Sequence, residues 1–137
     1  MNPSLEYLNQ KSFVIGNVRI IGCTLWSDIP ENEYDAALGC MNDYHYITIQ
    51  SEENRKLSPQ DTASWHRQQV AWINQEIEIA KGLNQSVVIL SHHSPLNNIA
   101  CAHPRELGDR AMDHFPSGNG TDLRHLFRPP VRCWLYG

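Results

Sequence analysis

Two adjacent imidazoles at the end of an apolar run are the part of this sequence best suited to chemistry. They are His92 and His93 of Ser91-His92-His93-Ser94-Pro95, directly after Val87-Val88-Ile89-Leu90. A short continuous apolar run of that kind reads as a strand in the centre of a covered sheet. In α/β sheets, ligand-binding groups cluster in the loops at the carboxyl ends of strands. A neutral imidazole placed there can coordinate a metal ion through one ring nitrogen while an acceptor orients the other. A His-His pair on its own is more often a loop or core histidine than a ligand.

The remaining candidates read more simply. Cys101-Ala102-His103 and Asp113-His114 could form a second metal site, though loop histidines at such spacings usually face solvent. Ser27-Asp28 after Trp26 is expected to cap a helix rather than to act as a nucleophile, since no Gly-x-Ser-x-Gly elbow surrounds Ser27. Trp65 and Trp72 belong to the core face of a helix, and His66, one residue off that stripe, is expected at the surface, with the cleft of an intact domain as the alternative. Asn42-Asp43-Tyr44 is a turn by composition. Cys23, Cys40, Cys101 and Cys133 have no Cys-x-x-Cys spacing and read as reduced, mostly buried thiols.

The elements that must position these residues can be read in order. Ser12-Phe13-Val14-Ile15 and Val18 to Leu25, joined by Gly16-Asn17, form a predicted β-hairpin whose second strand is buried on both faces. Pro30 to Met41 is a loop or weak helical turn, and Tyr44 to Gln50 a short strand. Ser58 to Lys81 is the plainest helix, about 22 residues and roughly 33 Å long. Ser58 caps it, Pro59 takes its first position, and Asp61 complements the positive end of its dipole. Trp65, Trp72, Ile73, Ile77 and Ala80 mark its buried stripe, and Gly82 ends it. Ser86 to Leu90 is a strand, Asn97 to Gly120 an irregular excursion with one helical turn, Thr121 to Phe127 a short helix capped by Thr121, and Val131 to Tyr136 a last strand. That alternation predicts an α/β layer structure.

Composition narrows the field of functions. The 137 residues are 41% hydrophobic and 19% charged, with a formal net charge of −4. Apart from the pair Arg55-Lys56, Lys and Arg are scattered, so no nucleic-acid binding patch is expected. No apolar run approaches the ~20 residues of a membrane span. The first residues have neither a basic leader nor an apolar core, and the expected location is cytoplasmic.

Four segments in this order carry a resemblance: Gly16 to Asp28, Asn42-Asp43-Tyr44-His45-Tyr46-Ile47, Asp61-Thr62-Ala63-Ser64-Trp65-His66 followed by Trp72-Ile73, and Val87 to Pro95. Together the chain resembles the second half of calcineurin-like metallophosphoesterases, from about Leu5 to Gly137 and most weakly over Asn97 to Pro130. The resemblance implies part of a four-layer α/β/β/α sandwich. It also implies a cofactor of two divalent ions (Mn, Fe or Zn), roughly 3.5–4 Å apart, that activate a bridging hydroxide to attack a phosphomonoester or phosphodiester.

Only one metal motif of that family maps onto this chain, which assigns His92 as a metal ligand and places His93 beside the ligands or near the substrate. No Gly-Asp-x-x-Asp or Gly-Asn-His motif occurs, and Tyr136-Gly137 falls where the family continues into Gly-His-x-His. The expectation is therefore a single incomplete domain over residues 1–137, cut at both ends and inactive in isolation. The rival expectation is a non-catalytic remnant or interaction module with the same fold. An unrelated α/β hydrolase is disfavoured by the missing nucleophile elbow.

Overall fold

Residues 6–96 and 121–137 are described in a computed structural model. Strand β1 (Lys11–Ile15) turns into β2 (Val18–Cys23). The hairpin is antiparallel and pairs Ile15 with Val18 across a two-residue turn. Gly16 has a φ of 58°, the left-handed geometry this short turn requires at its first position. A brief 3-10 turn then leads to α1 (Tyr34–Cys40) and α2 (Asn42–Tyr46), followed by a ribbon of β3 (Thr48–Ile49) with β4 (Arg55–Lys56). The long α3 (Pro59–Gly82) precedes β5 (Ser86–Ser91), and β6 (Val131–Tyr136) completes the described chain.

The main sheet has the order β1-β2-β5-β6. Strands β2, β5 and β6 are parallel and β1 is antiparallel, so the protein is mixed α/β as the element order predicts. Ile21 and Cys23 of β2, with Val87 and Ile89 of β5, turn the same way and are buried in one core. Ile73, Ile77 and Ala80 of α3 cover them at helical spacing, with Leu25, Leu123, Leu126 and Trp134 completing the cluster. The opposite face is covered less fully. Val18, Ile20, Val88 and Leu90 are half-buried, and only Gly22 lies tight, with no room for a Cβ against Leu8. Burial of β2 on both faces is thus corrected to full burial of its last three residues, Ile21 to Cys23, with Val18, Arg19 and Ile20 half-buried.

The start of α3 follows the expected chemistry closely. The Ser58 hydroxyl accepts from the Asp61 amide at 3.3 Å, and the Asp61 carboxylate accepts from the Ser58 amide at 2.9 Å. Arg55 adds a two-pronged pair to Asp61 at 2.6 and 2.8 Å. The Arg55 bonds, followed by those of the Ser58 hydroxyl and amide, bring the Asp61 carboxyl down from 3.8 to about 2, with partial burial opposing them. The unfolded chain therefore takes up this proton first as the solution is acidified. The stabilisation is present above pH 3.8 and is lost as pH falls toward about 2. Ser58→Ala is expected to cost about 1 kcal/mol, seen as a lower urea midpoint at unchanged slope. Asp61→Asn should flatten the acid limb of stability between those two pH values.

The other end of α3 departs from expectation. Gly82 lies inside the last turn, and the left-handed residue is Asn84, with a φ of 53°. The Gln85 amide donates to the Ala80 carbonyl at 2.8 Å and the Asn84 amide to Lys81 at 3.2 Å, so two terminal carbonyls are satisfied past the glycine. Asn tolerates this geometry because its short polar side chain bonds locally. On the adjacent face Arg19 of β2 pairs with Glu76 at 2.8 Å, and Ser12 donates to the same carboxylate at 2.6 Å, pinning the hairpin to the helix.

Residues 42–46 are helical where a turn and then a strand were expected. Tyr44 is buried with Ile29, Ala37 and Leu57, and its hydroxyl lies 3.0 Å from Thr62 of α3. That tertiary contact, with Asp43 in the first turn, outweighs the local β preference of Tyr and Ile. Pro30 to Met41, expected to be a loop or weak helical turn, takes the helical alternative and contains the seven-residue α1. Only a 3-10 turn at Arg124–Leu126 forms in the segment expected to be a short helix, and Thr121 instead donates to Asp28 at 2.5 Å. Cys23 is buried but Cys133 is exposed, which corrects the expectation of mostly buried thiols. The helical turn expected within Asn97 to Gly120 lies outside the described residues.

Candidate functional site

Strand register decides what meets at the carboxyl end of the sheet. Cys23 of β2 pairs with Ser91 of β5, so Thr24-Leu25-Trp26 and His92-His93 leave the sheet side by side. The Thr24 carbonyl accepts from the amides of His92 at 3.2 Å and of His93 at 3.1 Å. From the other flank the Trp134 indole donates to the Ser91 hydroxyl at 2.9 Å, which donates to the His93 carbonyl at 2.7 Å. Backbone and neighbours thus hold the two histidines from both sides.

His92 is exposed and His93 half-buried. The rings lie edge to face with centroids 4.8 Å apart, and the Trp26 indole is 5.8 Å from His93 on a tilted plane. An open cleft of about 490 Å3 runs along this end, lined by Thr24, Trp26, Leu90, Ser91 and His92 together with Tyr7. Burial pushes the His93 imidazole down from 6.5 to about 4, with repulsion from His92 and His66 adding to the effect and Asp43 opposing it. His93 is accordingly neutral at pH 7. The unfolded chain binds a proton here that the folded one refuses between those two values. Stability is therefore complete above pH 6.5 and declines as pH falls toward about 4. His93→Gln should remove that part of the pH dependence in urea melts collected across this range.

His66 occupies a place quite unlike the surface position expected of it. It is 2% exposed, and its Nδ1 lies 2.7 Å from the Trp26 carbonyl. A carbonyl only accepts, so Nδ1 carries the proton. One turn further along α3 the Gln69 side chain, 3% exposed, accepts from the Trp26 amide at 3.0 Å. Leu25 just before has a φ of 54°, a left-handed geometry that costs a non-glycine residue about 1–3 kcal/mol and persists only where its surroundings hold it. The buried face of α3 therefore runs through Thr62, His66 and Gln69 into Ile73, Ile77 and Ala80, while Trp65 and Trp72 sit half-buried beside it. A stripe traced through its polar members at 62, 66 and 69 would have located His66 in the sequence.

Segments far apart in the sequence converge here. Trp26, Asp43 and His66 all act on His93, and Trp26 also packs on Trp65 at 5.7 Å. Ser27 and Asp28 cap no helix. Ser27 is buried with its hydroxyl unbonded, and Asp28 holds the Thr121 hydroxyl with Arg67 3.8 Å away. Cys101, His103, Asp113 and His114 lie outside the described residues. Among the described residues no cluster of three or more His, Cys, Asp or Glu side chains could hold a metal ion. As a fit to a metal, His92 offers one imidazole on a fixed backbone facing a cleft, where a structural or catalytic zinc site takes three or four such groups. No helix of the described residues is long and apolar enough to cross a membrane.

No known protein-family profile matches the chain, and no solved structure matches it. It is 28% identical over 141 residues to an uncharacterized protein of Acanthamoeba polyphaga mimivirus, an alignment covering 98% of this chain and 48% of the viral protein. The chain spans about half the length of that curated relative.

Proposed function

We propose that this chain is part of a metal-dependent phosphoesterase in which His92 is one metal ligand. The observation that carries the reading is the exposed His92 imidazole at the carboxyl end of the central parallel strand β5, on a braced backbone facing the cleft. Support comes also from the four segments that resemble calcineurin-like metallophosphoesterases, three of which supply the surroundings of His93 in the fourth. The four-layer sandwich belongs to this proposal, as does the phosphate-ester substrate.

In this reading His92 holds the metal from one side of the cleft. A bound pair of divalent ions would supply an activated water and offset charge on the phosphate oxygens. His93, neutral at pH 7, brings an uncharged hydrogen-bonding group next to that position without adding repulsion. The Trp26 indole stands beside it, 5.8 Å from the His93 ring. The remaining metal ligands are assigned to parts of the full-length protein other than the described residues.

The test is hydrolysis of p-nitrophenyl phosphate and bis(p-nitrophenyl) phosphate by the full-length protein with Mn²⁺ or Zn²⁺. Turnover of either ester that a chelator abolishes and metal restores is the expected result. Inertness toward both esters with both metals would overturn it. The second reading, an interaction module, draws on the apolar rims of the sheet, where Ile15 of β1 is 62% exposed and Leu135 of β6 is 57% exposed. Exposed apolar edges of this kind mark contact surfaces.

A further inference from the structure

We infer that His66 and Gln69 of α3 are positioning residues for His92, acting through the backbone of Trp26. This rests on the proposed metal role of His92. Both polar groups of one residue's backbone are taken by a single helix face, the carbonyl by His66 Nδ1 at 2.7 Å and the amide by Gln69 Oε1 at 3.0 Å. Both side chains are buried, so each bond forms away from competing water. Between that grip and the end of β2 lies Leu25, fully buried and left-handed. Two residues before Trp26 is Thr24, whose carbonyl receives the amides of His92 and His93 together. The path is continuous: helix face, Trp26 backbone, strained Leu25, Thr24 carbonyl, histidine loop.

Released from α3, Leu25 would relax toward negative φ and redirect the Thr24 carbonyl, and the amides of His92 and His93 would lose their shared acceptor. Groups that orient a ligand from outside the coordination sphere typically alter metal affinity 10–100-fold when removed. The tautomer matters as much as the presence of His66. Asn at this position can present a side-chain N–H where the His Nδ1–H stands, whereas Leu fills a similar volume with no donor.

Amide hydrogen exchange in the metal-free full-length protein reads the path directly, with Mn²⁺ titration calorimetry alongside it. In His66→Leu the amides of Trp26, His92 and His93 should exchange about tenfold faster or more relative to Ile89 and Leu90 in the same sheet. Mn²⁺ affinity should fall by about tenfold or more, and His66→Asn should restore both. A general loss of stability would speed all of these amides together. If His66→Leu does not fold, Gln69→Leu removes the other half of the grip and should give the same selective pattern. Uniform acceleration, or unchanged His92 and His93 exchange in a folded variant, overturns the inference. Absence of both Mn²⁺ and Zn²⁺ binding in the unmodified protein would sink the phosphoesterase reading alone, since the exchange pattern reports on the path whether or not metal binds.

Discussion

Replacing His92 with alanine is expected to lower metal-dependent ester hydrolysis by the full-length protein by at least about a hundredfold. Losing a group that merely orients a ligand costs 10–100-fold, and losing the ligand itself removes more. The change should leave folding nearly untouched. The imidazole is exposed, and the amide bond from residue 92 to the Thr24 carbonyl survives in alanine. A surface substitution of this type shifts stability by no more than about 0.5 kcal/mol. Activity assayed beside a urea melt separates the two effects. A variant that melts like the parent and hydrolyses the ester like the parent would remove His92 from the mechanism.

The largest expected effect on stability lies one layer below. Ile89 has no exposed surface and stands on the central strand, paired with Ile21 of β2 on one side and Trp134 of β6 on the other. It belongs to the same cluster as Ile73 and Ile77 of α3. Truncation to alanine leaves a cavity between sheet and helix that neither can readily collapse, and Ile89→Ala should cost about 2–5 kcal/mol. That is a large part of the roughly 5–15 kcal/mol that holds a typical domain together. Leu135→Ala, on an exposed position of the edge strand, should stay within about 0.5 kcal/mol. Urea midpoints of the two variants provide the comparison. A cost below about 1 kcal/mol at Ile89 would mean that this helix-to-sheet contact is not the main core.

Legibility in the sequence followed how local the deciding interaction was. The Gly16-Asn17 turn, the Ser58-Pro59-x-Asp61 start and the apolar run before His92 declare themselves because their signals lie within a few residues. Tyr44 to Gln50 misleads in part: its aromatic and β-branched residues favour a strand, which Thr48-Ile49 forms, while Tyr44 and its neighbours turn helical once Tyr44 finds α3. Gly82 misleads for a subtler reason: a terminating glycine is a strong signal, yet Asn84 takes the left-handed geometry and leaves Gly82 helical. His66 was hidden by a stripe drawn through apolar residues alone. A histidine donating to a backbone carbonyl is as well buried as an isoleucine, but only the partner at residue 26, forty positions away, reveals it. The same holds for Gln69. Of the site itself, the His92-His93 position was readable from strand and loop, while the grip on Trp26 required the fold.

The most direct test of the central claim is anomalous diffraction at the zinc edge from crystals of the full-length protein grown with Zn²⁺. An anomalous peak is expected about 2.0–2.1 Å from a ring nitrogen of His92, the distance of a zinc–imidazole bond. An ordered His92 with no peak beside it, in crystals whose zinc sits on other residues, would remove His92 from the metal site.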